Sequence, residues 1–191
     1  LFGFSAFDYQ RDLLNYADDR AVTQAAVKPG RQVGKTETGG AIAADEFVTN
    51  SDVMILGPFE DTVSEMMEAF KAHVETAQER LVGSDVSVTL TTDNEMEYES
   101  AAGGRVRART VGSRGTQIRG KNPNVVLVDE AAYIKTSIFT EVIEPFFSTH
   151  ETWQFYLFST PAGKHGYFYD AVQGSNAEEW YSPHWPTEIS P

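Results

Sequence analysis

Three short runs of uninterrupted apolar residues constrain the fold of this chain more than any other feature: Val53 to Leu56, Val125 to Val128 and Phe155 to Phe158. Each has the length of a strand and none alternates with polar residues, so each must be covered on both faces. Amphipathic segments supply the cover. Val63, Met66, Met67, Phe70, Val74, Ala77 and Leu81 recur every three or four residues among Glu, Lys, Thr and Gln. That spacing predicts a helix whose Met and aromatic stripe is core. Further helices are predicted within residues 1–20, around Leu13, Leu14 and Tyr16, from Lys35 to just before Asn50-Ser51, over residues 137–147, and from Tyr167 to Val172. Ala21 to Lys28 reads as a strand leading into a glycine turn, and Trp153 to Ser159 as the third buried strand. Val86, Val88 and Leu90 alternate with polar residues, Thr92-Asp93-Asn94 interrupts, and Met96 and Tyr98 resume, which predicts a hairpin over residues 86–100. Ala102 to Val111 continues as a polar strand, and an aromatic segment, Trp180 to Trp185, closes the chain. The expected fold is α/β, a mainly parallel sheet sandwiched by helices with an inserted β-hairpin. With 191 residues, 41% of them hydrophobic, and no internal repeat or low-complexity linker, one domain over residues 1–191 is expected.

Composition narrows the chemistry. No cysteine means no disulfide, thiolate zinc site or cysteine nucleophile. His73, His150, His165 and His184 show no metal-ligand spacing. No run approaches the roughly 20 apolar residues of a membrane span, and no segment reads as a targeting peptide, so an intracellular protein with no membrane partner is expected. A chain that begins at Leu1 and ends at Pro191 after an aromatic stretch reads as part of something longer. The net charge of −13 argues against a surface that is uniformly suited to nucleic acid. Five of the nine arginines, however, lie between Arg105 and Arg119, enough for a local positive face on an acidic body. The scarcity of lysine, six against 28 acids, resembles proteins of salt-loving cells.

Two motifs carry chemistry. Lys28-Pro29-Gly30-Arg31-Gln32-Val33-Gly34-Lys35-Thr36 joins a predicted strand to a predicted helix. Backbone N–H groups at such a helix start can cradle phosphate oxygens, Lys35 can reach the β and γ phosphates, and Thr36 can ligate Mg²⁺. In the common phosphate-loop pattern the first glycine would fall at Pro29, whereas the nearest one is Gly30. About 95 residues later, Val125 to Val128 runs into Asp129-Glu130-Ala131-Ala132. An acid at the carboxyl end of a buried strand sits beside the phosphate site of an α/β sheet. Asp129 can then hold Mg²⁺ and Glu130 can act as general base toward water.

At these residues the chain resembles the ATPase domain of the large terminase subunit, the DNA-packaging motor of tailed viruses. The resemblance rests on Asp8-Tyr9-Gln10-Arg11-Asp12, on Gly30 to Thr36 with its displaced glycine, on Asp129 to Ala132, and on Ser159-Thr160-Pro161-Ala162-Gly163 followed by Phe168-Tyr169. It implies a P-loop NTPase that uses ATP and Mg²⁺ to move double-stranded DNA into a procapsid. Portal protein, a small terminase subunit and sister subunits in a ring are its implied partners. The host cytoplasm is the implied location, and a haloarchaeal virus or provirus the implied source. Tyr9 and Gln10 match the adenine-reading motif; read without the family, they are a core Tyr and a helix-surface Gln. Arg31 would contact the γ phosphate or point to solvent, and Gln32 and Val33 complete the loop. Ser159 and Thr160 match the motif that couples hydrolysis to movement, or form a plain strand end. Arg105, Arg107 and Arg109 would meet phosphates or pair with surface Glu. Arg114 and Arg119 lie where the family carries an arginine offered to the neighbouring subunit's nucleotide, and Arg119 is the choice. The family's carboxylate-rich nuclease domain is expected to be absent from this polypeptide. Two other readings fit parts of the pattern: a helicase-like nucleic-acid-dependent ATPase, and a nucleotide-binding assembly module without turnover.

Overall fold

The computed structural model describes residues 5–18, 22–30, 32–80, 90–93, 96–112 and 115–186. The order is helix α1 (Asp8–Asp18), strand β1 (Val22–Pro29), α2 (Lys35–Val48), β2 (Asp52–Gly57), α3 (Glu60–Arg80), β3 (Leu90–Asp93), β4 (Glu97–Ser100), β5 (Arg105–Thr110) and β6 (Val125–Asp129). A short helical turn α4 (Thr136–Ile138), β7 (Trp153–Phe158), α5 (Tyr167–Gln173) and β8 (His184–Trp185) follow.

Among the described residues the strands form one sheet in the order β3-β4-β5-β2-β6-β7-β1-β8. β5, β2, β6, β7 and β1 are mutually parallel, β8 adds in parallel to β1, and β3 and β4 form the antiparallel hairpin. The hairpin is thus where the alternation placed it, although residues 81–89, and with them Val86 and Val88, lie outside the described residues.

The apolar runs are buried on both faces because their alternate residues feed two different cores. Val53, Ile55, Val125, Leu127, Tyr156 and Phe158 point to one, which α1, α2 and α3 cover. Met54, Leu56, Val126, Val128, Phe155 and Leu157 point to the other, under residues 131–147 and α5. Each fully buried side chain of this size contributes about 1.5–3 kcal/mol of transfer free energy, so neither face can be uncovered cheaply. The α3 stripe is core as predicted, with Val63, Met66, Met67, Phe70, Val74 and Ala77 all buried. α2 approaches α3 across Gly40, where a Cβ would come within 2.6 Å of the Ala69 Cβ. The glycine sets the spacing of the helix that carries the phosphate loop.

One predicted helix needs correction. Residues 137–147 are helical but not a regular α-helix: α4 passes into a π-turn over Phe139–Ile143 and a 3₁₀ segment over Glu144–Thr149. Pro145 has no N–H to give to an i→i−4 bond, and the segment tightens there. The closing aromatic segment is also more than an appendage: Trp185 is fully buried, and β8 forms the sheet's outer strand beside β1.

Candidate active site

β1, β7 and β6 lie side by side and parallel, so the chain that leaves each of them emerges at the same edge. After β1 the backbone turns through Gly30, Gln32 and Val33 into α2, which starts at Lys35. Gln32 and Gly34 have positive φ, 58° and 73°. At Gly34 a Cβ would come 2.7 Å from Gln10 Nε2, so both conformation and space require glycine. Val33 is buried in the core and pins the loop from within.

α1 holds the same loop from outside. Tyr9 Oη donates to the Val33 carbonyl at 3.1 Å, and Gln10 Nε2 donates to Thr38 Oγ1 at 2.8 Å while lying 3.4 Å from the Gly34 carbonyl. Thr38 Oγ1 donates in turn to the Gly34 carbonyl at 2.8 Å, and Gln10 Oε1 accepts the Phe7 N–H at 2.9 Å. Gln10 is therefore not on the helix surface. It is 1% exposed, with both ends of its amide engaged on protein. The Gly30 N–H donates to the Trp185 carbonyl, and the Trp185 ring packs against Tyr9 with centroids 5.2 Å apart.

Lys35 opens α2 with its ammonium between two acids. Nζ lies 2.7 Å from Asp129 Oδ1 and 2.7 Å from Glu130 Oε1. Burial works against the charge of Lys35, but the attraction of Asp129 and Glu130 together outweighs it and holds the ammonium above its usual range. Asp129 is 1% exposed, and burial pushes its carboxyl above the usual range against the pull of Lys35. Glu130 follows with φ 49° and ψ 44°, a left-handed conformation that costs a non-glycine residue about 1 kcal/mol or more. Its N–H donates to Asp129 Oδ1 at 2.8 Å. Ser159, fully buried at the end of β7, accepts the Ala132 N–H at 3.2 Å, and its one hydroxyl proton faces two acceptors, the Thr160 carbonyl at 3.0 Å and Glu130 Oε2 at 3.3 Å. Glu130 thus meets Lys35 at Oε1 and the shared Ser159 hydroxyl at Oε2.

Lys35 and Glu130 open onto a cleft of about 780 Å³, within the size range of small-molecule sites, while Asp129 and Ser159 lie buried behind its wall. Gly30, Gln32, Val33, Gly34, Lys35, Thr36, Glu130 and Thr160 line it, all expected from sequence, together with Pro29, Glu37, Glu65, Glu68 and Ala69, which were not. Spacing along α3 places Glu65 and Glu68 on one helix face, yet nothing in the sequence says that this face borders the loop. Thr38 was missed for the same reason. The Thr36 hydroxyl and the Asp129 carboxylate are hard oxygen donors of the kind Mg²⁺ prefers. Mg²⁺ is commonly held by one or two protein oxygens and completed by phosphates and water.

The arginines divide. Arg31 and Arg114 lie outside the described residues. Arg105 pairs with Glu99, Arg107 with Asp52 at 2.6 Å and Arg109 with Glu97 at 3.2 Å, so the β5 row is a ladder of ion pairs and not a set of free cations. Arg119 is exposed, away from the cleft, and lines a depression of about 240 Å³ with Lys121, Glu141 and Phe146.

The fold has known counterparts. The large terminase ATPase domain of Thermus phage P74-26 is similar to this chain at 22% identity and a TM-score of 0.69, over 96% of this chain and 82% of that one. The HK97 bacteriophage large terminase is similar at 17% identity and a TM-score of 0.72, over 96% of this chain and 39% of that one. The large terminase of another, thermophilic bacteriophage is similar at 15% identity and a TM-score of 0.61, over 97% of this chain and 47% of that one. These likenesses are likenesses of fold. A comparison with curated protein sequences returns no match. The family described as terminase large subunit, T4likevirus-type, N-terminal, matches residues 28–187, from the end of β1 to beyond β8. The chain therefore belongs to that family of terminase large subunits, whose N-terminal region it matches.

Proposed function

We propose that this chain hydrolyses Mg²⁺-bound ATP in the cleft between the phosphate loop and the Asp129-Glu130 pair, and that the energy drives double-stranded DNA into a procapsid. The observation that carries the reading is the position of Lys35, 2.7 Å from each of two acids that come from a strand 95 residues away. One ammonium against two carboxylates is a poor way to stabilise a fold, because one acid is always left over. It is a sensible way to prepare a site for phosphates and a divalent cation.

In this reading the loop N–H groups and Lys35 bind the phosphates, and Thr36 and Asp129 hold Mg²⁺, which when bound neutralises charge on the transferred phosphoryl group. Glu130 accepts the proton of the attacking water. Lys35 leaves Glu130 Oε1 for the phosphates, which frees that oxygen to act as base, while Ser159 keeps the carboxylate oriented through Oε2. Tyr9 and Gln10 act on the nucleotide by holding the loop. Thr160, on the cleft wall next to Ser159, senses the γ phosphate in this reading and, with Ser159, couples hydrolysis to DNA movement. Arg31 adds a cation to the loop and Arg119 serves a neighbouring copy's nucleotide. DNA, portal protein, a small terminase subunit and a ring of sister subunits are the partners this function requires.

Phosphate release from ATP tests it. Release should require Mg²⁺ and stop with a chelator, and Asp129→Asn should raise the Mg²⁺ concentration needed for half-maximal rate by about tenfold or more. Metal-independent release, or an Asp129→Asn protein with unchanged Mg²⁺ demand, would reject the assignment.

A further inference from the structure

A second, smaller hollow backs onto the cleft. It has a volume of about 40 Å³, and Lys28, Ala132, Pro161, His165 and Tyr169 are among the residues that line it. Three stretches of chain wall both spaces. Pro29 lines the cleft and Lys28 the hollow, Thr160 the cleft and Pro161 the hollow, Glu130 the cleft and Ala132 the hollow. Residues next to each other, or next but one, thus separate the two at the carboxyl ends of β1, β6 and β7.

The two spaces differ in charge. Glu37, Glu65, Glu68 and Glu130 line the cleft. Among the described residues no acid lines the hollow, in a chain with 28 acids and 15 lysines and arginines. Lys28 is half-buried and shares its face of β1 with Ala26, which packs into the core under α5. Among the described residues neither Lys28 nor His165 belongs to an ion pair, whereas each arginine of β5 does. An ammonium partly withdrawn from water without a counter-charge is a cost to the fold. The loop after β7 also makes room for the imidazole. Gly163 has φ 104°, and a Cβ there would come 2.9 Å from His165 Cε1, so glycine is what lets the ring fold back.

A lysine ammonium, an imidazole N–H and the Tyr169 hydroxyl are donors suited to a phosphate. One buried water needs roughly 10–15 Å³ of such space, so the hollow takes one oxyanion group and excludes a nucleobase. We propose that the hollow is a second phosphate-binding site, with Lys28 and His165 as its ligands, one wall away from where the γ phosphate is cut. The inference rests on the hydrolysis proposed above, which supplies a free phosphate on the other side of that wall. A backbone phosphate of the DNA being moved offers the same chemistry from outside.

Histidine ring-proton resonances test the site, because the chain has four histidines and His165→Gln identifies the one concerned. Inorganic phosphate is titrated at constant ionic strength into the unaltered chain, Lys28→Met and Lys35→Ala, and a short DNA duplex is titrated in a parallel arm. Expected is a saturable shift of the His165 resonance that persists in Lys35→Ala and needs about tenfold more of the probe in Lys28→Met. A shift with inorganic phosphate identifies the free ion as the source, and a shift with DNA alone identifies the backbone. Three results overturn the proposal: neither probe moves the resonance, Lys28→Met responds like the unaltered chain, or Lys35→Ala abolishes the response, which would put the ion in the cleft. Should Lys28→Met lose its thermal transition, the unaltered and Lys35→Ala chains still decide. A silent His165 in a chain that hydrolyses ATP removes the hollow and leaves the activity, and a response without hydrolysis does the reverse.

Discussion

Charge is organised in opposite ways around β5 and at the carboxyl ends of β6 and β7. Around β5 each arginine has its own acid: Arg105 with Glu99 and Arg109 with Glu97 on β4, and Arg107 with Asp52 on β2. At the carboxyl ends Lys35 is shared between Asp129 and Glu130, Asp129 is almost wholly buried, and Glu130 takes a strained backbone conformation. The ladder is matched and mostly half-exposed. The site is mismatched, buried and strained, and it is tied by hydrogen bonds to Ser159 on a third strand. Matched pairs hold strands in register. A mismatched, strained cluster is what remains when an arrangement serves a ligand rather than the fold.

Substitutions can break or sharpen this contrast. The largest effect is expected at Glu130→Gln, which removes a base while keeping shape and one acceptor. The rate of ATP hydrolysis should fall by about a thousandfold, with the thermal midpoint essentially kept. Next comes Arg107→Ala. Arg107 is the one buried member of the ladder, 5% exposed, and its loss strips Asp52 of its partner at a cost of about 1–3 kcal/mol. Denaturant unfolding would show it, and hydrolysis per folded molecule should not change. Ser159→Ala should leave ATP affinity intact and lower turnover by about tenfold, because Glu130 keeps its chemistry while the hydroxyl that links it to the Ala132 N–H and the Thr160 carbonyl is lost. The smallest effect belongs to Arg105→Ala, whose half-exposed pair with Glu99 is worth less than about 1 kcal/mol. A large loss of activity there would erase the distinction between ladder and site.

Much of this was legible in the residues. Uninterrupted apolar runs gave away the strands buried on both faces, because no other environment tolerates Val125-Val126-Leu127-Val128 beside an acid pair. The phosphate loop was readable because glycines, a lysine and a threonine at fixed spacing occur together where a strand passes into a helix. What the sequence hid is tertiary. That Gln10 turns inward to Thr38 depends on where α1 docks, and no local pattern encodes it. The pairing of the β5 arginines with Glu97, Glu99 and Asp52 follows from strand register, which period-2 alternation leaves open. Trp185 reads as one of several terminal aromatics until β8 is seen beside β1. The irregular turns over residues 139–149 were masked by apolar spacing that fits a regular helix equally well.

The central claim is that Lys35 and the Asp129-Glu130 pair form one site for a triphosphate. Calorimetric titration with ATP in the presence of Mg²⁺ tests it most directly, comparing the unaltered chain with Lys35→Ala. The account predicts binding weakened by about a hundredfold in the Lys35→Ala protein, with the fold intact by circular dichroism. Equal affinity in the two proteins would mean that the ammonium between the acids is only a buried ion pair, and the cleft would have to serve some other purpose.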